Sequence, residues 1–290
     1  MKKIIALAMA GVLALTAFAG CSISVSESSS KAESKTESKA TEDSAPAGAD
    51  WDYLADKGTF TIGITYYEPM NYKDANGKLV GFETEFSEAV CAELGLTPKF
   101  QEIEWDSKEL ELNSKSIDCI WNGMTITPER QQNMDISMPY LDNKQIMVCK
   151  KENAEKFADD VSGATVVAEA GSAGETIARE DDFFANANFE SLESQATALL
   201  EVKAGTADIA IIDYVMAVAT IKEGSDFESL TAVEGITFGD EQFGVALRKN
   251  SPATLEKLNA AIQKLADNGK LKEIADKYNL GEMIAVKPAA

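Results

Sequence analysis

Between residues 59 and 280, short apolar runs alternate with stretches whose apolar residues recur every three or four positions, and this alternation constrains the fold more than any other feature. Residues 59–65, 99–103, 117–121, 145–149, 165–168, 207–212 and 243–247 have the length and apolar content of strands. The intervening patterns are helical. Phe82, Phe86, Ala89, Val90 and Leu94 share a face that ends at Gly95, residues 196–204 stop at Gly205, and Leu255, Leu258, Ile262 and Leu265 form a further stripe. A last short helix carries Leu271, Ile274 and Tyr278. Thr127-Pro128-Glu129 has the form of a helix start, Gly171-Ser172-Ala173-Gly174 leads into a helix from about Glu175, and Asn76-Gly77 marks a tight turn. Strands alternating with helices predict parallel α/β sheets. Leu112, Lys115 and Asp118 before one strand, echoed by Leu200, Lys203 and Asp208 before another, suggest two similar halves.

The N-terminal segment reads as an address. Lys2 and Lys3 precede an apolar stretch ending in Ala19-Gly20-Cys21. A positive start, a short apolar run and small residues form a secretory signal, and the cysteine after the small pair resembles a bacterial lipobox. The expectation is a signal peptide over 1–20 and a lipid on Cys21. Residues 21–50 are dominated by Ser, Glu, Lys, Thr and Ala, cannot bury enough surface to offset their ordering entropy, and are expected to form a disordered tether of roughly 30 Å root-mean-square span.

Charge and residue inventory remove whole classes of function. The chain has 48 acidic against 27 basic residues, a formal charge of −21, which weighs against nucleic-acid binding. It has no histidine, so Ser-His-Asp and Cys-His catalysis and imidazole metal sites are excluded. Beyond Cys21, the thiols Cys91, Cys119 and Cys149 are odd in number and wrongly spaced for a metal site, and are expected to be buried and free.

Open α/β sheets bind ligands beyond the carboxyl ends of their strands. Those ends offer Thr65-Tyr66-Tyr67-Glu68, Asn122-Gly123-Met124-Thr125, Glu169-Ala170-Gly171-Ser172 and Asp213-Tyr214, with Arg130 just past the second. A guanidinium with nearby hydroxyl and amide donors suits a carboxylate, and an acid opposite suits an ammonium. Both together suit a free amino acid.

Residues 59–280 resemble the family 3 extracellular solute-binding proteins, the amino-acid receptors of bacterial ABC importers. The resemblance is carried by residues 76–83 (Asn-Gly-Lys-Leu-Val-Gly-Phe-Glu), 122–130 (Asn-Gly-Met-Thr-Ile-Thr-Pro-Glu-Arg), 138–140 (Met-Pro-Tyr), Ala170-Gly171-Ser172, Ile212-Asp213 and 243–249. It implies an α/β fold of the two-lobe periplasmic-binding-protein (Venus-flytrap) type with two hinge strands, lobe 1 comprising 51–147 plus 242–290 and lobe 2 comprising 148–241, with crossings near Cys149 and Phe243. It assigns Arg130 to the ligand α-carboxylate, helped by the Gly123 amide and the Thr125 hydroxyl, and Asp213 to the α-ammonium. Asn122 and Ala173 fall at pocket positions, the latter through its backbone amide, and Glu169 where the ligand side chain is touched. The loop after the first strand departs from the family by lacking one residue, which makes Glu68 a candidate substitute for the usual acid. Tyr66, Tyr67 and Trp121 are candidates for either ligand wall or core.

The function implied is an extracytoplasmic, lipid-anchored, monomeric receptor that delivers a polar amino acid, neutral or basic, to an ABC transporter permease, without metal or cofactor. The alternatives are a ligand-binding sensor module on the cell surface and a dehydratase-like enzyme on the same fold, for which no nucleophile is visible.

Overall fold

The computed structural model describes residues 48–289; the expected signal peptide, Cys21 and most of the expected tether lie outside them. Thirteen strands follow in order: β1 (Thr59–Ile64), β2 (Tyr72–Lys73), β3 (Leu79–Val80), β4 (Thr97–Glu102), β5 (Cys119–Ile120), β6 (Met134–Ile136), β7 (Leu141–Lys150), β8 (Thr165–Glu169), β9 (Asn188–Leu192), β10 (Ile209–Asp213), β11 (Leu230–Ala232), β12 (Asp240–Phe243) and β13 (Ala246–Arg248). β2 and β3 form the hairpin marked by Asn76-Gly77. Two larger sheets carry the fold, one in the order β4-β1-β5-β13-β6 and the other β11-β7-β10-β8-β9, with β12 also paired to β7.

Neither sheet is wholly parallel. β1 runs parallel to β4 and β5, and β8 parallel to β9 and β10, as helix-linked strands do. β13 enters the first sheet antiparallel, and β7 enters the second antiparallel. These are strands that arrive from the other half of the molecule, without a helical return to impose parallel direction.

The crossing differs in detail from expectation. The 10-residue β7 begins at Leu141, its first residues pair with β12 in the register Leu141↔Phe243 to Lys144↔Asp240, and the rest enters the second sheet. Cys149 is already inside that sheet, opposite Ile209 and Thr231, so the chain crosses at 141–144 rather than at Cys149. The expected strand 243–247 is two strands: Phe243 faces Leu141, whereas Ala246 lies between Ile120 and Ile136. β6, β9 and β11 give no apolar run in the sequence, because they are short or, in β9, exposed along an edge.

The helices bury the stripes that define them. Helix Phe82–Leu94 buries Phe82, Phe86 and Val90 and ends at the left-handed Gly95, and helix Pro252–Asp267 buries Leu258, Ile262 and Leu265. Both join one continuous core, in which each fully buried large side chain contributes about 1.5–3 kcal/mol. Within it Phe86 meets Trp121 edge-on at 5.2 Å and Tyr140 at 5.5 Å. Cys91, Cys119 and Cys149 are buried free thiols, as their residue type suggests. No helix among the described residues is long and apolar enough to cross a membrane.

Candidate ligand-binding site

Arg130 is aimed by a short helix whose start is fixed locally. Thr127 is extended, its hydroxyl accepts from the Arg130 amide at 3.1 Å, and Pro128 occupies the first helical position of Pro128–Asn133. The guanidinium donates through Nη1 to the Thr125 carbonyl at 2.9 Å and through Nη2 to the Gly171 carbonyl at 3.3 Å, reaching from the first half to the second. Burial lowers its pKa, because the charge is held out of water.

Asp213 ends β10, pointing into the same space. Its carboxylate accepts from Asn143 Nδ2 at 2.7 Å, Gln145 Nε2 at 2.6 Å and Gln195 Nε2 at 2.5 Å, and its amide donates to Gln195 Oε1 at 2.9 Å. Asn143 and Gln145 also donate to Glu241 Oε1, at 2.5 and 2.8 Å. Two side chains thus join two carboxylates, and burial followed by the Glu241 charge pushes the Asp213 carboxyl above its usual range.

Glu169 ends β8 beside them. Burial first, and then the Asp213 charge, push its carboxyl up to about 8, and its Oε1 is buried without a hydrogen-bond partner. The chain then turns through Gly171, whose φ of 69° is left-handed, into helix Ala173–Glu180, capped by Ser172 Oγ accepting from the Glu175 amide at 3.1 Å. Ser172 and Ala173, at the start of that helix, line the cavity, where a helix leaves its first amides without intrahelical partners.

The floor of the first half is a buried polar network. Asn122 Nδ2 donates to Thr65 Oγ1 at 2.6 Å, and Asn71 Nδ2 donates to Asn122 Oδ1 at 2.8 Å. Glu83 accepts from Asn71 Nδ2, from the Tyr140 hydroxyl and, at 2.8 Å, from the Gly123 amide. Burial pushes the Glu83 carboxyl up to about 7. The Gly123 amide, which the resemblance offers to the ligand, is therefore engaged by Glu83. Gly123 is at φ 59°, and a Cβ there would stand 2.0 Å from the Tyr67 hydroxyl, so only glycine lets Tyr67 approach.

The resulting cavity has about 280 Å³ of empty space, open to solvent included, at the small end for ligand sites. Of the residues singled out in the sequence, Tyr67, Asn122, Gly123, Thr125, Arg130, Glu169, Ala173 and Asp213 line it together. Glu68, Tyr66 and Trp121 do not. Glu68 is exposed in the turn that follows Tyr67, and Tyr66 is half-buried with Lys73 Nζ 4.4 Å from its ring centre, while the buried Tyr67 takes the inward side. Trp121 alternates with Asn122 and packs in the aromatic core. Ser172, named at the same strand end as Glu169, lines the cavity too, whereas sequence reasoning missed Trp105, Gln145 and Gln195. The available signal for Gln145 was a polar residue at the head of the apolar run Ile146–Cys149, two positions from Asn143 and hence on the same face. No comparable signal marks Trp105 or Gln195.

The sequence profile of the bacterial extracellular solute-binding proteins, family 3, matches residues 60–282. The L-cystine-binding protein of Escherichia coli strain K12 is 30% identical over 228 residues, covering 78% of this chain and 84% of that protein. The arginine-binding extracellular protein of Bacillus subtilis is 29% identical over 218 residues, covering 74% of this chain and 84% of its own length. Among solved structures, a histidine-bound substrate-binding protein of an ABC uptake transporter from Streptococcus pneumoniae superposes with a TM-score of 0.75 at 30% identity, covering 83% of this chain and 100% of the other. Their mixed α/β architecture is that of the two-lobe periplasmic binding proteins, and the chain belongs to the family 3 bacterial extracellular solute-binding proteins.

Proposed function

We propose that this chain is the extracytoplasmic receptor of an ABC importer and that it captures a polar free amino acid between its lobes. One observation carries the reading: among the described residues, neither Arg130 nor Asp213 takes part in any ion pair, although both line one small cavity. Arg130 is held by neutral carbonyls and Asp213 by neutral amides, so each charge is oriented but not neutralised. A zwitterion supplies both missing charges at once.

In this reading Arg130 takes the α-carboxylate with the Thr125 hydroxyl and the Ala173 amide, and Asp213 takes the α-ammonium. Asn122 shapes the floor, and Glu169 meets the ligand side chain. Residues 51–140 plus 244–290 act as one lobe and 145–239 as the other, with 141–144 and 240–243 as the crossing strands, and the ligand favours their closure because its two ends are held by different lobes. Cys21, lipidated after removal of residues 1–20, holds the monomer at the membrane within reach of the permease. The acids of the cavity answer ligand charge, and the protein performs no reaction.

Calorimetric titration with the twenty amino acids, cystine and ornithine, after unfolding and refolding to strip retained ligand, tests the reading. Saturable one-to-one binding of at least one of them is expected. Binding to none would overturn it.

A further inference from the structure

Lys108 lies behind the cavity wall, against the lining residue Trp105, and has no part in the amino-acid reading above. It opens helix Lys108–Asn113, is 5% exposed, and holds Nζ 4.8 Å from the centre of the Trp105 ring. Nζ donates to the Trp105 carbonyl at 3.1 Å and, across the cleft, to the Gly171 carbonyl at 2.9 Å. Arg130 Nη2 donates to the same Gly171 oxygen, so two fixed cations converge on one neutral acceptor. Lys108 forms no ion pair among the described residues, and burial followed by the Arg130 charge pushes its ammonium down to about 8. Its charge nonetheless reaches Glu169, whose carboxyl it helps to ionise.

Two polar atoms of the cavity wall are buried without partners, Glu169 Oε1 and the Tyr67 hydroxyl. Burial and the surrounding carboxylates keep Tyr67 a phenol, able both to donate and to accept. Glu169, facing Asp213, Gln195 and the field of Lys108, is the one carboxylate among the described residues with a buried, unpartnered oxygen.

We infer that Lys108 makes the side-chain end of this cavity select a neutral or dipolar side chain carrying both a donor and an acceptor, and reject a side chain with a single positive charge. The inference rests on the amino-acid reading of Arg130 and Asp213. A cationic side chain that reaches Glu169 comes up against a cation already fixed on Trp105 and a second at Arg130, in a space where little water screens them. Lys108 offsets the acid that such a ligand would need, which is discrimination by a built-in repulsion. A carboxamide, or the second amino-acid head of a dimeric ligand such as cystine, brings a donor for Glu169 and an acceptor for Tyr67 without net charge.

The test is calorimetric titration of the refolded full chain and its Lys108→Met and Lys108→Gln variants with L-glutamine, L-cystine and L-arginine at neutral pH. The unmodified protein should bind glutamine or cystine at least about tenfold more tightly than arginine, and in both variants the ratio of arginine affinity to that of the better ligand should rise at least about tenfold. Lys108→Gln keeps a donor for the Gly171 carbonyl, so a rise in Lys108→Met alone would reduce Lys108 to a structural clasp and overturn the inference. Arginine as the tightest ligand, or an unmoved ratio in both variants, would overturn it while leaving the amino-acid reading intact. Binding of no amino acid would remove that reading and this inference together.

Discussion

The two ends of the cavity meet opposite charges by opposite means. At one end Arg130 rests on backbone carbonyls, of Thr125 and Gly171, which no substitution elsewhere changes chemically. At the other, Asp213 is braced by three side-chain amides, Asn143 and Gln145 from β7 and Gln195 from the start of helix Gln195–Ala204. The cationic end is a property of the fold, whereas the anionic end is a property of particular side chains. Orientation without neutralisation is common to both, and it leaves each charge free for a ligand.

Removing either charge tests the shared part most severely. Arg130→Ala or Asp213→Ala leaves one end of a zwitterionic ligand desolvated without its partner, at a cost of about 2–5 kcal/mol, and affinity measured by calorimetry should fall at least about 30-fold in each. The unliganded melting temperature should barely move, because in Asp213→Ala the Asn143 and Gln145 amides keep Glu241 as an acceptor. Unchanged affinity in both variants would remove the proposed site.

Glu169 sharpens the contrast at the anionic end. Glu169→Gln deletes a charge and keeps a hydrogen-bonding group, so it should weaken a basic ligand about tenfold and a neutral one only a few-fold. Equal losses for both would mean that Glu169 contributes shape alone.

Protonation gives a smaller, directional effect. The ordinary value near 4.5 for Glu169 rises to about 8 in the fold, and that of Glu83 to about 7. The folded protein therefore holds protons that the unfolded chain has already lost, so this contribution to stability is complete below about pH 4.5 and disappears as pH rises toward 8. Unliganded melting temperature should fall across that window, less steeply in Glu169→Gln. A ligand ammonium beside Asp213 and Glu169 favours their ionised forms, so binding near pH 7 should release a fraction of a proton, read from the dependence of calorimetric enthalpy on buffer. A flat pH profile with no proton release would mean that these acids are already ionised in the empty cavity.

The smallest effect tests how the cationic end is aimed. Thr127→Ala removes the acceptor for the Arg130 amide and should cost about 1 kcal/mol of stability, measured by denaturant unfolding, with a loss of affinity well below that of Arg130→Ala.

The sequence displays these two ends unequally. Arg130 is legible because its capping signal, Thr127-Pro128, is local and specific, and Asp213 because it terminates an apolar run at the mouth of a sheet. The braces around Asp213 come from β7 and from helix Gln195–Ala204, brought together only by strand pairing such as Asp213↔Gln145, and long-range register leaves little trace in a single chain. The same reason hides Lys108, which sits at a helix start as an ordinary lysine and becomes distinctive only when Gly171 arrives from the other half. The alternation of elements pointed to α/β sheets with helix-linked parallel strands. It did not show that β7 and β13 run against their neighbours, because direction is set by where a strand comes from.

The crossing strands have one more consequence. Asn143 lies opposite Glu241 in the β7–β12 pairing, and Gln145 lies one pleat further along, so the residues that steady the acid ride on the flexure itself. In the proposed reading, a joint built this way is also a gauge: any twist of the two strands alters the spacing of the amides and, with it, the grip on a ligand ammonium. Affinity can then be retuned from positions that never touch the ligand, by changing how the joint rests, and selection for tighter or looser capture has a route that leaves the cavity wall, and therefore its specificity, untouched.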